Sequence, residues 1–262
     1  MIKIGGGSIT DPSVPRKALR GEISRLLAEI YDAQKEQGFD VIIGHGSGSF
    51  GHVTAHEYSV AEGLINDRSV KGALLTKVVA SELNFIVIDE AVKLGMPVFP
   101  FFPSSFAFAE NRRLSGGFVD HIRVALEKGF IPIVHGDVVI DTKQGVCIAS
   151  TEEVLRFISE RIPPKMIVLA TDVDGVYDKD PNSAKGAKLI SLVNSSNIGK
   201  VVSMAGGAKK IDVTGGMRTK ISILYSIVKR TGATGYIANA TKPGVINKTL
   251  VGRNTSCTII KP

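Results

Sequence analysis

The stretch Gly44-His45-Gly46-Ser47-Gly48-Ser49-Phe50-Gly51-His52, directly after the apolar run Val41-Ile42-Ile43, carries four glycines in eight residues. Positions without a Cβ let backbone N–H groups converge on an anion at no steric cost. His52, which closes the run, is a side chain able to touch that anion directly. A second cluster, Gly5-Gly6-Gly7-Ser8, follows Ile2-Lys3-Ile4. Two such loops after two successive strands predict two phosphate groups facing each other, as phosphoryl transfer requires. Gly46-x-Gly48-x-x-Gly51 also matches the dinucleotide spacing, with Asp67 at the distance of a ribose-binding acid. The segment Ala61-Glu62-Gly63-Leu64-Ile65-Asn66 before it reads as a loop, however, which favours a phosphotransferase over a dehydrogenase.

Cations for that chemistry must come from outside the usual motifs, because neither the G-x-x-x-x-G-K-[ST] loop nor the protein-kinase motif set is present. Lys3 lies on the strand that runs into Gly5-Gly6-Gly7. Lys220 lies just over one turn into a helix expected to start at Gly215-Gly216, with Thr214 as its N-cap; such a helix start favours an anion. Two cations on one transferred phosphoryl group would act by electrostatic stabilisation, with Mg²⁺ on the donor phosphates. An acceptor that already carries a phosphate is largely dianionic, since its second pKa is about 6. It needs positioning and screening rather than a general base, and His52 suits that role. His45 reads as structural. Two acidic pairs, Asp172/Asp174 and Glu152/Glu153, are open to holding metal, orienting the lysines or contacting ribose, or to bonding local backbone and favouring a helix start.

The elements that must position these groups alternate. Strands are expected over residues 1–5, 40–44, 97–101, 131–135, 138–141, 146–149, 166–170, 235–238 and 256–260. Helices are expected over about 16–36, 69–94, 117–128, 194–203 and 215–229. Residues 142–145 read as a hairpin turn. Continuous apolar strands are buried on both faces, so the expected fold class is α/β, a three-layer αβα sandwich with a mainly parallel central sheet. Ligands in such sheets sit beyond the C-terminal strand ends, where both glycine clusters, Gly136-Asp137, the Thr171–Gly175 turn and residues 212–216 fall. The 262 residues suffice for a single domain. No apolar run approaches a membrane span, the N-terminus enters a strand directly, and Cys147 and Cys257 read as small buried hydrophobes, all of which predicts a cytoplasmic protein. The net charge of +7 favours anionic partners; without a dense Lys/Arg tract interleaved with aromatics, small phosphorylated ligands are expected rather than nucleic acid.

Lys3-Ile4-Gly5-Gly6-Gly7-Ser8-Ile9-Thr10, the His45–His52 run, Ile133-Val134-His135-Gly136-Asp137, Thr171-Asp172-Val173-Asp174-Gly175-Val176-Tyr177 and Asp212-Val213-Thr214-Gly215-Gly216-Met217 resemble, in this order, motifs of the amino acid kinase superfamily. The Ser-Phe-Gly-His ending narrows the likeness to its members that phosphorylate isopentenyl phosphate. The resemblance spans nearly the whole chain. It implies an open αβα sandwich in which residues 1–160 bind the acceptor and 161–262 bind ATP, and transfer of the ATP γ-phosphate to isopentenyl phosphate in isoprenoid synthesis. A kinase for other small phosphates or phosphonates, such as a fosfomycin kinase, is the alternative; a non-catalytic nucleotide sensor is a further one. The resemblance implies ATP contacts from Lys3, Gly5, Gly6, Gly7, Ser47, Thr171, Asp172, Gly216 and Lys220. It implies acceptor contacts from Gly46, Gly51, His52, Gly136 and Thr151, with Lys3, His52 and Lys220 catalytic. Phe85, Ile86 and Phe101 are the expected walls of the tail pocket. Mg²⁺ would accompany ATP without dedicated protein ligands, and the protein would be a homodimer. The sequence departs from the motifs at Gly7, at Pro12 (where a lysine is common, with Arg16 or Lys17 nearby), at Ser47 and at Ser150-Thr151-Glu152-Glu153.

Overall fold

A computed structural model describes residues 1–179, 181, 186–205 and 216–262. Its central sheet contains β1 (Ile2–Ile4), β2 (Ile43–His45), β3 (Val98–Pro100), β6 (Ile131–His135), β9 (Met166–Thr171), β10 (Leu192–Val193), β11 (Thr234–Asn239) and β12 (Cys257–Ile260). These eight lie in the order β10-β12-β11-β9-β1-β2-β6-β3. From β11 to β3 every pairing is parallel, and β12 joins β11 antiparallel. The mainly parallel αβα sandwich read from the apolar strands is the fold observed. The β1–β9 ladder makes one sheet of the chain's two halves.

Helices cover both faces. On one side α2 (Arg20–Gln37), α4 (Asp67–Lys93) and α10 (Val245–Leu250) pack on Ile2, Ile4, Ile43, Ile131 and Ile133. On the other α6 (Asp120–Glu127), α7 (Thr151–Ser159), α8 (Ile198–Met204) and α9 (Gly216–Thr231) pack on Ile42, Val134, Ile167, Leu169 and Ile237. Side chains alternate across a strand. Since Ile2 and Ile4 belong to the first core, Lys3 between them faces the second, where α7 lies. None of the helices among the described residues is long and apolar enough to cross a membrane.

Several elements differ from the sequence reading. The hairpin of β7 (Asp137–Asp141) and β8 (Gly145–Ala149) turns at 142–144 as expected, but it belongs to a separate four-stranded sheet, β5-β4-β7-β8. Its other strands, β4 (Ala107–Glu110) and β5 (Arg113–Gly117), were not anticipated. The glycine run is mostly helix: after Gly46-Ser47, α3 (Gly48–Glu57) begins, and β2 extends through His45. Short helices α1 (Gly6–Ile9) and α5 (Pro103–Phe106) complete the set. Asp67 opens α4 behind an Asn66 cap instead of ending a strand, so the ribose-acid reading of it fails.

Candidate active site

The glycine clusters meet because β1 and β2 are neighbours, with Lys3 opposite Gly44 and Ile4 opposite His45. At the C-terminal edge Gly46 N–H donates to the Ile4 carbonyl at 2.9 Å, and Gly5 N–H to the Ala170 carbonyl at 2.8 Å. These donors complete the sheet and are spent on it. The glycines serve close approach instead. A Cβ on Gly6 would lie 2.3 Å from Gly48 N, and one on Gly46 would lie 2.9 Å from Gly6 N. Gly48, at φ +46°, would place a Cβ 2.1 Å from Thr10 Oγ1. Gly51 packs on Ser47, while Gly7 faces open space. Thr10 Oγ1 accepts from Ser49 N at 3.0 Å, so α1 and α3 are pinned with their N-terminal ends side by side. The first-turn N–H groups of a helix have no intrahelical acceptor, and α1 and α3 both begin at this edge. His52 sits half-buried in the second turn of α3.

Lys3 is 5% exposed, and its Nζ lies 2.9 Å from Glu152 Oε1 on α7. Burial opposes ionisation of Glu152, but the charges of Lys3 and Lys220 overcome it and hold its carboxyl below the usual carboxylate value. Lys220, on α9 across the sheet edge, therefore belongs to the same electrostatic centre, although 217 residues separate it from Lys3 in sequence. Acidic residues are favoured in the first turn of a helix. Ser150 caps α7 by accepting from Glu153 N, and the two acids behind it divide their work. Glu153 accepts from Arg156 and from Leu114 N at 2.9 Å, tying α7 to β5, whereas Glu152 turns to the lysines. Glu152 is the site residue to which the sequence alone assigned no single role.

Thr151 Oγ1 donates to the His45 carbonyl at 2.7 Å, and Gly136 N–H to the same oxygen at 3.3 Å. Gly44 leaves room for Thr151, whose Cγ2 would lie 2.6 Å from a Cβ there. Thus Gly46, Gly136 and Thr151 converge on the end of β2. Thr171 ends β9 and bonds Val173, and Asp172 is exposed in the following turn. Asp174 instead accepts from Lys242 and from Asn239, so the two acids do not act as a pair. Gly216 opens α9; residues 212–215 of the expected loop lie outside the described residues.

One expectation is corrected. Phe85, Ile86 and Phe101 do not wall one pocket: Phe85 is exposed beside Phe102, Ile86 packs in the first core and Phe101 is buried in the second. Of the cations near Pro12, Lys17 pairs with Asp11 at 3.0 Å and Arg16 with Glu82 at 2.6 Å, both on the surface.

A buried lysine–carboxylate pair under the charge of a second lysine, beside paired helix starts at the C-terminal edge of a parallel sheet, defines a phosphotransferase of the αβα type. The sequence profile of the Amino acid kinase family matches residues 1–239, and the chain belongs to that family. It is 33% identical to the isopentenyl phosphate kinase of Methanothermobacter thermautotrophicus over 99% of this chain and 98% of that protein. Identity to the isopentenyl phosphate kinase of Methanocaldococcus jannaschii is 30%, over 96% and 95%. A crystal structure of isopentenyl phosphate kinase superposes with a TM-score of 0.85 at 31% identity, covering 99% of this chain and 98% of that one.

Proposed function

We propose that this protein transfers the γ-phosphate of ATP to isopentenyl phosphate, giving isopentenyl diphosphate and ADP for isoprenoid synthesis. The observation that carries the reading is the buried Lys3–Glu152 pair, whose carboxylate also feels the charge of Lys220, beside the apposed α1 and α3 helix starts. Residues 1–160 supply the acceptor side and 161–262 the nucleotide side. Lys3, from β1, and Lys220, from α9, stand on the two sides of the γ-phosphate. There they neutralise charge on its equatorial oxygens as the bond to ADP lengthens and an acceptor oxygen closes in line. Glu152 holds the Lys3 ammonium in place and gives Lys220 a nearby counter-charge. His52 donates to the acceptor phosphate and screens its repulsion from the incoming phosphoryl group. Gly46, Gly51, Gly136 and Thr151 shape the floor under that phosphate. Gly5, Gly6, Gly7, Thr171, Asp172, Gly216 and the side chain of Ser47 contact ATP.

Among the described residues no cluster of His, Cys, Asp and Glu could hold a metal. A Mg²⁺ held by the nucleotide's own phosphates and water fits that donor set; it neutralises charge on the donor phosphates. We place the enzyme in the cytoplasm, a reading supported by two buried thiols, Cys147 and Cys257. Pairing of two copies is supported by the exposed apolar stripe Val70, Leu74, Val78 and Phe85 on α4, which a two-fold axis would bury against itself; light scattering on the purified chain reads it directly.

An acceptor panel with ATP and Mg²⁺ tests the function. Isopentenyl phosphate is expected to give the highest kcat/KM; preference for a phosphonate, or ATP binding without ADP release, would sink the proposal.

A further inference from the structure

Strands β2 and β6 end in the same dipeptide, His45-Gly46 and His135-Gly136. Both histidines are buried, 0% and 1% exposed, and their rings stack with centroids 5.7 Å apart. Each ring folds back so that Nδ1 meets the carbonyl of its own following glycine, at 3.2 Å for Gly46 and 2.8 Å for Gly136. A carbonyl only accepts, so each ring carries its proton on Nδ1. Burial above all, with the Lys3 charge adding to it, pushes His45 down to about 4, and burial lowers His135, so both rings are neutral near pH 7. Nε2 of His45 is then an acceptor, and the atom that lies 3.0 Å from it is Asn84 Oδ1. With Oδ1 turned to the ring, two acceptors would meet and Nδ2 would stay buried without a partner; turning Nδ2 to the ring resolves both.

In a planar trans peptide the C=O and N–H point in opposite directions. A Gly46 carbonyl held on the His45 ring turns the Ser47 N–H away from the buried side. The same glycine borders Lys3, whose Cε would lie 3.7 Å from a Cβ at Gly46. We propose that His45 is a positioning residue whose Nδ1–H clamps the Gly46–Ser47 peptide so that the Ser47 N–H faces the acceptor phosphate, with His135 as the matching clamp that backs it. This rests on the reading above that the acceptor phosphate lies at this loop.

Two substitutions at one position separate the clamp from simple packing. In His45→Asn an N–H donor stays at the δ position; in His45→Gln it moves to the ε position, where it reaches Asn84 but not the Gly46 carbonyl. H45Q is expected to raise the KM for isopentenyl phosphate on the order of tenfold with the ATP KM little changed, and H45N to regain most of that loss. Equal effects of the two, or parallel rises in both KM values, overturn the proposal. If H45Q does not fold, ¹⁵N imidazole spectra of the wild type decide. Neutral Nδ1–H rings at both buried histidines support the clamp, and an Nε2–H ring at His45 overturns it. Failure of the acceptor reading looks different: the wild type would not turn over isopentenyl phosphate whatever the tautomers.

Discussion

Lys3 Nζ and Glu152 Oε1 lie 2.9 Å apart with both side chains almost fully enclosed, on a central strand and on the first turn of the helix that faces it. Removing one member of a buried pair strands the other's charge, at a cost of about 3 kcal/mol. Glu152→Gln is therefore expected to lose about that much stability in urea denaturation and to lower kcat as well, because Lys220 loses the same counter-charge. Adding Lys3→Met should restore much of the stability and none of the activity. Activity restored along with stability would remove the pair from catalysis.

Acid should weaken the fold in two steps. In the unfolded chain His45 titrates near the ordinary value of 6.5, whereas in the folded state burial pushes it down to about 4. Between those values the unfolded chain binds the extra proton, so stability falls as the pH drops through the window, by about 3 kcal/mol in all. Below the ordinary 4.5 of a free glutamate, the depressed Glu152 adds a second loss as it is forced to protonate. Urea midpoints measured from pH 7 to 4 should show the first step in the wild type and a reduced one in His45→Asn.

His52→Ala is expected to reduce turnover on the order of 10²–10³, the scale for removing one donor aimed at developing charge. Lys220→Ala should lower kcat at least as much while circular dichroism and melting temperature stay near wild type. Near-normal rates would return His52 to the helix surface, or Lys220 to solvent.

Much of this was legible in the sequence, and what was not has definite physical causes. Continuous apolar runs such as 131–135 and 166–170 mark strands because both faces of a parallel sheet are covered. Lys3 between two isoleucines marks a strand with one chemical face. Helix α3 was hidden because Gly48-Ser49-Phe50-Gly51 has poor helix propensity; those glycines are present for contact with Gly6 and Ser47, which only the tertiary fold reveals. Strands β4 and β5 were hidden by their turn. Asn111 and Arg112 take the left-handed conformation at φ 49° and 67° without a glycine to announce it. The division of labour between Glu152 and Glu153 depends on which face of α7 meets β1, information no local pattern carries.

Gly48 and Gly7 give the sharpest contrast among the glycines. A methyl on Gly48 would lie 2.1 Å from Thr10 Oγ1 and 2.7 Å from the Gly6 carbonyl, on a backbone already at φ +46°. Neither neighbour can yield, since Thr10 donates to Gly6 O and accepts from Ser49 N. Gly48→Ala is therefore expected to cost about 2–4 kcal/mol and to part α1 from α3, lowering activity with stability. A methyl on Gly7 meets nothing within 4 Å, and its φ is unexceptional. Gly7→Ala should hold stability within about 0.5 kcal/mol. Any effect it has should fall on the ATP KM, because only the bound nucleotide would approach that face. If Gly48→Ala melts with the wild type, the two loops are not in contact.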